Sequence, residues 1–246
     1  MSDSQSSRVA LVTGGSGGIG TATSKRLAEA GMAVAVHYAG NRSRADAVVS
    51  SIADAGGRAI AVTGDVADEA AMSDAFDTVE AEFGGVDVVV NTAGIMLLGP
   101  LVQFSLEDLD RMHRVNIRGT FVVSQQAVRR VRAGGAIINF STSVSKLQFP
   151  GYSAYAASKG AVNAMTLILA REMRGKDVTV NAVAPGPTAT DLFLDGKSDN
   201  EIDNLAKVSP LERLGTPEDM AETVAFLAGR GRWINGQIVY VNGGAI

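Results

Sequence analysis

Tyr155 and Lys159 are the two residues whose types and spacing point most directly to acid–base chemistry. Four positions apart, they share one face of a helix, one turn from each other. A free phenol has a pKa of about 10 and exchanges protons slowly near neutrality. A cation about 4 Å away at an effective dielectric of about 20 contributes about 4 kcal/mol, enough to lower that pKa to about 7. The pair therefore predicts a tyrosine that exchanges a proton with a substrate oxygen.

A glycine-rich segment with the sequence TGGSGGIG occupies residues 13–20, between the first apolar run and a helical pattern. Glycine permits positive φ and lets the backbone approach a pyrophosphate, which then lies at the helix N-terminus. The segment also fits the G-x-S-x-G turn of α/β-hydrolases, but those enzymes need a later acid and then a histidine. The last histidine of this chain is His113, before the midpoint of the sequence, so the late histidine that a hydrolase needs is missing. The segment therefore predicts a dinucleotide phosphate site instead.

The elements that must position these residues alternate regularly between strand and helix. The strands are continuous apolar runs, as expected when helices cover both faces of a sheet. Glycine-marked turns separate them, which predicts right-handed βαβ units and an α/β fold with a single-domain, doubly wound parallel sheet of Rossmann type. The predicted strands are 9–13, 33–38, 59–63, 86–91, 136–140, 178–184 and 237–241; the later predicted helices are 68–83, 105–131, 155–174 and 217–228.

Composition narrows the function classes. The chain has 246 residues, no cysteine, two histidines and a net charge of −4, so it has no disulfide or thiolate chemistry, and we expect no metal site and no nucleic-acid partner. No apolar run approaches the roughly 20 residues of a membrane span. Residues 1–7 are polar, lack the apolar stretch of a secretory signal and are expected to fray. We predict one cytoplasmic domain over residues 1–246.

Taken in order along the chain, the motifs resemble those of the short-chain dehydrogenase/reductase family, close to its ketoreductase and 3-oxoacyl reductase branch. The resemblance spans nearly the whole chain, from about residue 8 to 244. The Thr-Gly-x3-Gly-x-Gly turn is followed by Asp65-Val66 after the third strand, NTAG at 91–94 after the fourth, Asn116 in the long helix, Ser143 after the fifth strand, the Tyr-x3-Lys pair, and PGPT at 185–188 after the sixth.

The resemblance implies roles for individual residues. Tyr155 is the proton donor, Ser143 hydrogen-bonds the same substrate oxygen, Lys159 also holds the nicotinamide ribose, and Asn116 supports a water-linked proton path. The gap from Ser143 to Tyr155 is 155 − 143 = 12, one shorter than in many members, so a neighbouring serine remains an alternative. The residues expected to bind the cofactor are Gly14, Ser16, Gly18, Ile19, Gly20, Tyr38, Asn41, Arg42, Asp65, Val66, Asn91, Ala93, Gly94, Tyr155, Lys159, Pro185, Gly186 and Thr188.

The end of the second strand favours NADP over NAD. NAD-binding members place an acidic residue there to bind the ribose diol. This chain has no Asp or Glu between Tyr38 and Asp46, and it offers Arg42 and Arg44 to a 2′-phosphate. Many NADP-using relatives also carry a basic residue inside the glycine-rich turn, where this chain has Gly17, so NAD stays open.

The expected substrate is a small ketone or alcohol. Residues 188–210 correspond to the family's substrate loop, and apolar residues near it predict an apolar cleft. The leading hypothesis is NADPH-dependent reduction of a ketone to a secondary alcohol. The alternatives are a reductase of 3-oxoacyl thioesters on an acyl carrier protein, an NAD-linked alcohol or polyol dehydrogenase, and a non-catalytic dinucleotide-binding regulator. The resemblance also implies a homotetramer.

Overall fold

Seven parallel strands form one sheet in this computed structural model, which describes residues 7–246. Residues 1–6, part of the segment predicted to fray, lie outside the described residues. The sheet order is β3-β2-β1-β4-β5-β6-β7. The strands are β1 (Val9–Thr13), β2 (Ala33–Tyr38), β3 (Arg58–Thr63), β4 (Val86–Asn91), β5 (Val131–Phe140), β6 (Thr179–Pro185) and β7 (Ile238–Val241). The predicted doubly wound sheet is confirmed.

Helices cover both faces of the sheet. They are α1 (Gly18–Glu29), α2 (Arg42–Asp54), α3 (Glu69–Phe83), α4 (Leu106–His113), α5 (Thr120–Arg130), α6 (Val144–Leu147), α7 (Ser153–Glu172), α8 (Asp191–Leu194), α9 (Asp199–Ala206) and α10 (Pro217–Ala228). The three short helices α6, α8 and α9 are not among the predicted elements. No helix within residues 7–246 is both long and apolar enough to cross a membrane.

Each face of the sheet packs its own apolar core. On one face Leu27 of α1, Ile52 of α2 and Val224 of α10 pack against the sheet. On the other face Phe76 of α3 and Leu169 of α7 do the same. Because both faces are covered, the strands carry no polar side, which explains their continuous apolar runs. The two cores fix the strand ends on which the site is built.

The long helix predicted over 105–131 is interrupted at Asn116. Residues Arg114–Gly119 form one wide turn of π-helix between α4 and α5. Within it, the Asn116 side chain accepts a hydrogen bond from Ile95 N at 2.9 Å and donates one to Ile95 O at 2.9 Å. The wide turn therefore brings Asn116 to the loop after β4, consistent with the tendency of such turns to lie at functional sites.

Strand β5 begins five residues earlier than its predicted start at 136. Arg132 forms an ion pair with Asp87 of β4, and Gly134 adopts a φ of +82°, which lets the chain bend while it stays beside β4. The register is irregular between Val86 and Val88. Residues 131–135 include arginine and two glycines, a composition typical of a loop. The ion pair between Arg132 and Asp87 instead holds this stretch beside β4 as a strand.

The glycine-rich turn is held by a buried histidine of β2. Gly14 N donates to His37 Nδ1 at 3.3 Å, and His37 Nε2 is 3.0 Å from Gly64 O. Since Gly64 O can only accept, the ring is neutral with its proton on Nε2. Burial lowers the pKa of His37 to about 4. Protonation would place a second N–H against Gly14 N, so the turn requires the neutral ring.

His37 therefore predicts a pH-dependent stability. Its pKa is about 4 in the folded chain and about 6.5 in the unfolded chain, so the stabilisation is fully present above pH 6.5 and is lost as pH falls towards 4. Between pH 7.5 and 5.0 the free energy of unfolding should fall by about 2 kcal/mol through this residue. In His37→Asn, which keeps an acceptor for Gly14 N but does not titrate, that loss should disappear in urea unfolding curves at the two pH values. An equal loss in the variant would contradict the neutral assignment.

Candidate active site

A large cleft lies over the edge of the sheet where the parallel strands end. It has a volume of about 1630 Å³, and a smaller cavity of about 120 Å³ adjoins it. The order of strands reverses between β1 and β4, which is where ligands bind in open α/β sheets. Thr142, Tyr155 and Lys159 all line the smaller cavity. The residues predicted to carry the chemistry therefore line a cavity that adjoins the cleft predicted to bind the cofactor.

Tyr155 and Lys159 lie side by side on α7, as their spacing predicts. Lys159 Nζ lies 5.9 Å from the centre of the Tyr155 ring and donates to Phe140 O at 2.8 Å. Burial raises the pKa of Tyr155 to about 12 and lowers the pKa of Lys159 to about 8. The expected fall of the phenol pKa towards 7 is therefore wrong for the chain by itself, because burial outweighs a lysine that is turned to a carbonyl.

Thr142, and not Ser143, places its hydroxyl beside Tyr155. A hydrogen bond with the Thr142 side chain opposes the rise in the pKa of Tyr155. Ser143 is fully buried, donates to Ala184 O at 3.1 Å and accepts from Asn242 Nδ2 at 3.3 Å. Its backbone amide donates to Pro185 O, so the residue is tied to β6 and does not line the cavity. The expectation that Ser143 faces the substrate is corrected on this geometry. The gap from Ser143 to Tyr155 is one residue shorter than in many members of the family, whereas the gap from Thr142 is 155 − 142 = 13. This difference was the sequence signal for Thr142.

Asn116 holds the loop after β4 in place. Besides its two bonds to Ile95, its amide donates to Ser158 Oγ at 3.0 Å, and Ser158 Oγ donates to Tyr155 O at 2.8 Å. A Cβ at Gly94 would lie 3.1 Å from Asn116 Oδ1. These contacts make Asn116 a link between the loop and α7.

The glycine-rich turn fits a dinucleotide pyrophosphate. Gly17 and Gly18 are exposed and line the large cleft at the N-terminus of α1, which has no side-chain cap, so the backbone amides of its first turn face the cleft. A Cβ at Gly20 would lie 2.1 Å from Gly14 O, and one at Gly14, which has a φ of +62°, would lie 2.9 Å from Ala93 Cα. The turn can therefore be built only with glycine at these two positions.

The end of β2 presents arginine to the same cleft. Asn41 Oδ1 accepts from Arg44 N at 3.0 Å and caps α2. Arg44 lines the large cleft and pairs with Asp191 at 3.7 Å, while Arg42 pairs with Asp46 at 3.4 Å. All four of these charged side chains are more than half exposed. Either guanidinium is therefore free to turn towards an anion.

The remaining predicted residues separate into three groups. Ile19, Gly94, Pro185, Gly186 and Thr188 line the smaller cavity. Of the others, Tyr38 ends β2 and Ser16 lies in the glycine-rich turn. Asp65 follows β3 and pairs with Arg114 at 2.7 Å. Burial acts to raise the pKa of Asp65, but the hydrogen bonds from Ala67 and Arg114 outweigh it and lower that pKa. Two side chains point away from the cleft: Asn91 is buried and donates to Asn139 Oδ1 at 2.7 Å, and Val66 is buried against Gly119.

The substrate side of the cleft is walled by apolar side chains. They come from the loop after β4, from α6 and the loop before α7, and from α8 and α9. Phe149 and Tyr152 contact each other edge to face with ring centres 5.8 Å apart. Within residues 7–246 no group of three or more acidic or histidine side chains is arranged to hold a metal ion. The side chains that wall this side are Met96, Leu97, Leu98, Phe104, Leu147, Phe149, Tyr152, Leu192, Phe193, Leu194 and Leu205.

Comparisons with known proteins agree with this geometry. Residues 14–245 match a family model described as enoyl-(acyl carrier protein) reductase. A short-chain type dehydrogenase/reductase of Picea abies is 46% identical over 97% of this chain and 92% of its own. An NADPH-dependent aldehyde reductase-like, chloroplastic protein of Arabidopsis thaliana is 41% identical over 97% of this chain and 94% of its own. The structure of a short-chain dehydrogenase from Burkholderia cenocepacia J2315 in complex with NADP is 42% identical, with a TM-score of 0.91 over 98% of both chains.

The sequence match extends over almost the whole chain and joins a fold, a glycine-rich turn and a Tyr–Lys pair that the structure brings to one cleft. On these grounds the chain belongs to the short-chain dehydrogenase/reductase family of NAD(P)-dependent oxidoreductases.

Proposed function

We propose that this protein is an NADPH-dependent reductase that converts an apolar ketone to a secondary alcohol, with Tyr155 as the proton donor. One observation carries the proposal: Tyr155, Thr142 and Lys159 line one cavity, beside a cleft bounded by glycine backbone at one end and apolar side chains at the other. The reaction needs a proton donor and a charge-stabilising hydroxyl at the same oxygen. This cavity offers both.

The ionisation of Tyr155 supports the reductive direction. With a pKa of about 12, the phenol keeps its proton throughout the neutral range. A neutral phenol can donate to a carbonyl oxygen as negative charge develops there, whereas alcohol oxidation needs the phenolate as a base. The same burial that raises the pKa strengthens the hydrogen bond to that oxygen by excluding water.

Thr142 and Lys159 have distinct tasks in this proposal. The Thr142 hydroxyl lies beside the phenol and donates to the same carbonyl oxygen, stabilising the charge that develops on it. Lys159, anchored on Phe140 O, would hold the ribose of bound NADPH next to the nicotinamide. Asn116 acts through position, since it fixes the loop after β4 against α7.

NADPH, when bound, supplies the hydride. The amides at Gly17 and Gly18 would bind its pyrophosphate, and the segment Pro185–Thr188 would border the nicotinamide. Arg44 and Arg42 would bind the 2′-phosphate, with Arg44 the better placed because it lines the cleft. The absence of an acidic residue from Tyr38 to Ala45 supports the same choice, as does the relative described as NADPH-dependent.

The alternatives are weaker on specific grounds. A non-catalytic regulator has no need of a Tyr–Lys pair with a buried lysine beside a hydroxyl. An NAD-linked alcohol or polyol dehydrogenase fits poorly with an apolar cleft and a protonated phenol. Aldehydes stay a candidate substrate because of the aldehyde reductase-like relative, and a 3-oxoacyl thioester is considered below.

Four further expectations belong to this proposal. Residues 188–210, which include α8 and α9, serve as the substrate loop. The single domain and the cytoplasmic location stay predictions. A homotetramer is supported by exposed apolar residues on α5 and α7 and near the C-terminus, and light scattering of the purified protein tests it. These residues are Phe121, Leu167, Ile168, Tyr240 and Ile246.

Replacement of neighbouring hydroxyls should separate chemistry from structure. Thr142→Ala removes the donor next to Tyr155, and kcat for ketone reduction should fall by about 100-fold, the usual cost of one such donor. Thr142→Ser should recover most of that loss. Ser143→Ala should lower kcat by less than about 10-fold and instead reduce the free energy of unfolding by about 1–2 kcal/mol, because it leaves Ala184 O and Asn242 without a partner. A larger kcat loss for Ser143→Ala than for Thr142→Ala would restore Ser143 as the residue facing the substrate.

The arginines after β2 should determine the cofactor preference. In Arg42→Ala/Arg44→Ala the dissociation constant for NADPH should rise by about 10- to 100-fold, since one charge-assisted hydrogen bond contributes about 1.5–3 kcal/mol and only Arg44 of the two lines the cleft. The constant for NADH should change by less than about threefold. Fluorescence titration of the reduced nicotinamide measures both. Arg129→Ala/Arg174→Ala, two exposed arginines elsewhere, is the matched control. Equal losses for NADH and NADPH would show that these side chains do not contact the 2′-phosphate.

A further inference from the structure

The mouth of the substrate cleft is acidic. Its two rims are formed by residues 96–110 and 191–206, which together carry eight acidic residues and a single basic one, Lys197. Asp108, Asp195 and Glu201 line the substrate end of the cleft, while Asp191 lies nearer the glycine-rich turn, where it pairs with Arg44. The remaining acidic residues of the two rims are Glu107, Asp110, Asp199 and Asp203.

The charge at this mouth is only partly offset, by Lys197, which interacts electrostatically with Asp195 and Glu201. Across residues 7–246, no salt bridge includes Asp108, Asp195 or Glu201. Glu201 stays ionised, since its pKa is lowered by hydrogen bonds from Ser198 N at 2.8 Å and Ser198 Oγ at 2.7 Å.

The two lysines near the mouth do not balance its three carboxylates. Lys197 Nζ donates to Phe193 O at 2.6 Å and lies 4.6 Å from the centre of the Phe193 ring, so it is engaged within its own segment. Lys146 on α6 is exposed and lines neither the cleft nor the cavity. The substrate end therefore keeps a net negative field.

The interior of the cleft suits an uncharged ligand. Its walls are apolar and include the edge-to-face aromatic pair Phe149 and Tyr152. Ser141 is 3% exposed, lines the cavity, and its hydroxyl has no hydrogen-bond partner within the described chain, so it is a hydrogen-bonding group left for a ligand. Among residues 7–246, the one cation that lines the cavity is Lys159, which donates to Phe140 O and is assigned to the ribose.

We propose, on the basis of the proposed ketone reduction, that this cleft selects uncharged or cationic apolar aryl ketones and rejects anionic ones, including acyl thioesters on phosphorylated carriers. An anion would have to pass three carboxylates that form no salt bridge among the described residues, and the cations beyond them, Arg44 and Lys159, are the ones assigned to the cofactor. Clefts lined by one sign of charge change the local concentration of charged ligands by at least about 10-fold at low salt. This disfavours the 3-oxoacyl thioester alternative and leaves the neutral ketone.

Three ketones of one shape test the proposal: 4-acetylphenylacetate, 4-acetylphenylacetamide and 4-acetylphenylacetamidine, which carry charges of −1, 0 and +1. A methylene group insulates the charged end from the carbonyl, so intrinsic reactivity is matched. At low ionic strength, kcat/KM should be at least about 10-fold lower for the carboxylate than for the amide, and for the amidine equal to or above the amide. The ratio should shrink at about 0.5 M salt, where screening lengths fall below about 5 Å. Equal values for all three ketones would overturn the proposal.

Charge-neutralising variants assign the effect to named residues. In Asp108→Asn/Asp195→Asn/Glu201→Gln the ratio of amide to carboxylate kcat/KM should approach 1. Because the ratio is taken within one preparation, any loss of folded protein cancels. The matched control Asp54→Asn/Asp74→Asn/Glu82→Gln removes the same charge from exposed positions on α2 and α3 and should keep the wild-type ratio. A change in the control as large as in the mouth variant would contradict a local origin.

Failure of the proposed function is distinguishable from failure of this inference. If none of the three ketones is reduced with NADPH, the reductase proposal fails for this class, and isothermal titration of the same three ligands still measures the charge preference. Binding of the amide and amidine that is at least about 10-fold tighter than that of the carboxylate supports the inference; equal binding overturns it.

Discussion

The site depends on close backbone packing between the turn after β1 and the loop after β4. These strands are neighbours in the sheet, yet their chains leave in opposite directions along it, so the crevice between their ends is left open. Gly14 lies against Ala93, Gly20 lies against Gly14 O, and His37 holds the turn from β2. No side chain fits at the two glycines, so the backbone amides of α1 lie open beside the catalytic cavity. Moving this contact would separate the cofactor turn from Tyr155.

Burial shifts the pKa values of Tyr155 and Lys159, the proposed catalytic pair, in opposite directions. It raises the pKa of Tyr155 and lowers that of Lys159, so each group moves towards its neutral form. A neutral phenol beside a hydroxyl in a small cavity is suited to donate a proton, and this is the physical basis for preferring reduction. In the proposed mechanism, the acidic mouth discriminates between substrates by their charge, because the carboxylates at the rim act on a ligand before it reaches Tyr155.

The sequence predicted the parts that depend on periodicity and glycine. Continuous apolar runs locate all seven strands, and the TGGSGGIG turn lies where a parallel sheet needs it. The prediction failed where tertiary contacts decide. Ser143 and Thr142 are adjacent hydroxyls after a strand, and only the bonds of Ser143 to Ala184 and Asn242 show which one faces Tyr155. The early start of β5 depends on the ion pair between Arg132 and Asp87, two residues 45 positions apart.

The sequence pattern also could not predict which charged residues face the cleft. Residues 188–210 were expected to form a substrate loop, but whether their acidic residues face the cleft or the solvent depends on how α8 and α9 fold back over it. The phenol pKa illustrates the same limit: helical spacing places Lys159 beside Tyr155, yet the direction in which Nζ points is set by Phe140 O of a different strand.

The central claim is that Tyr155 supplies the proton, and Tyr155→Phe tests it most directly. The substitution removes one hydroxyl and keeps the ring, so the site's packing is retained. Single-turnover oxidation of NADPH with 4-acetylphenylacetamide should slow by at least about 100-fold in the variant, the scale of one acid catalyst, while the dissociation constant for NADPH stays within about twofold. A variant that reduces the ketone at the wild-type rate with NADPH bound would contradict the account.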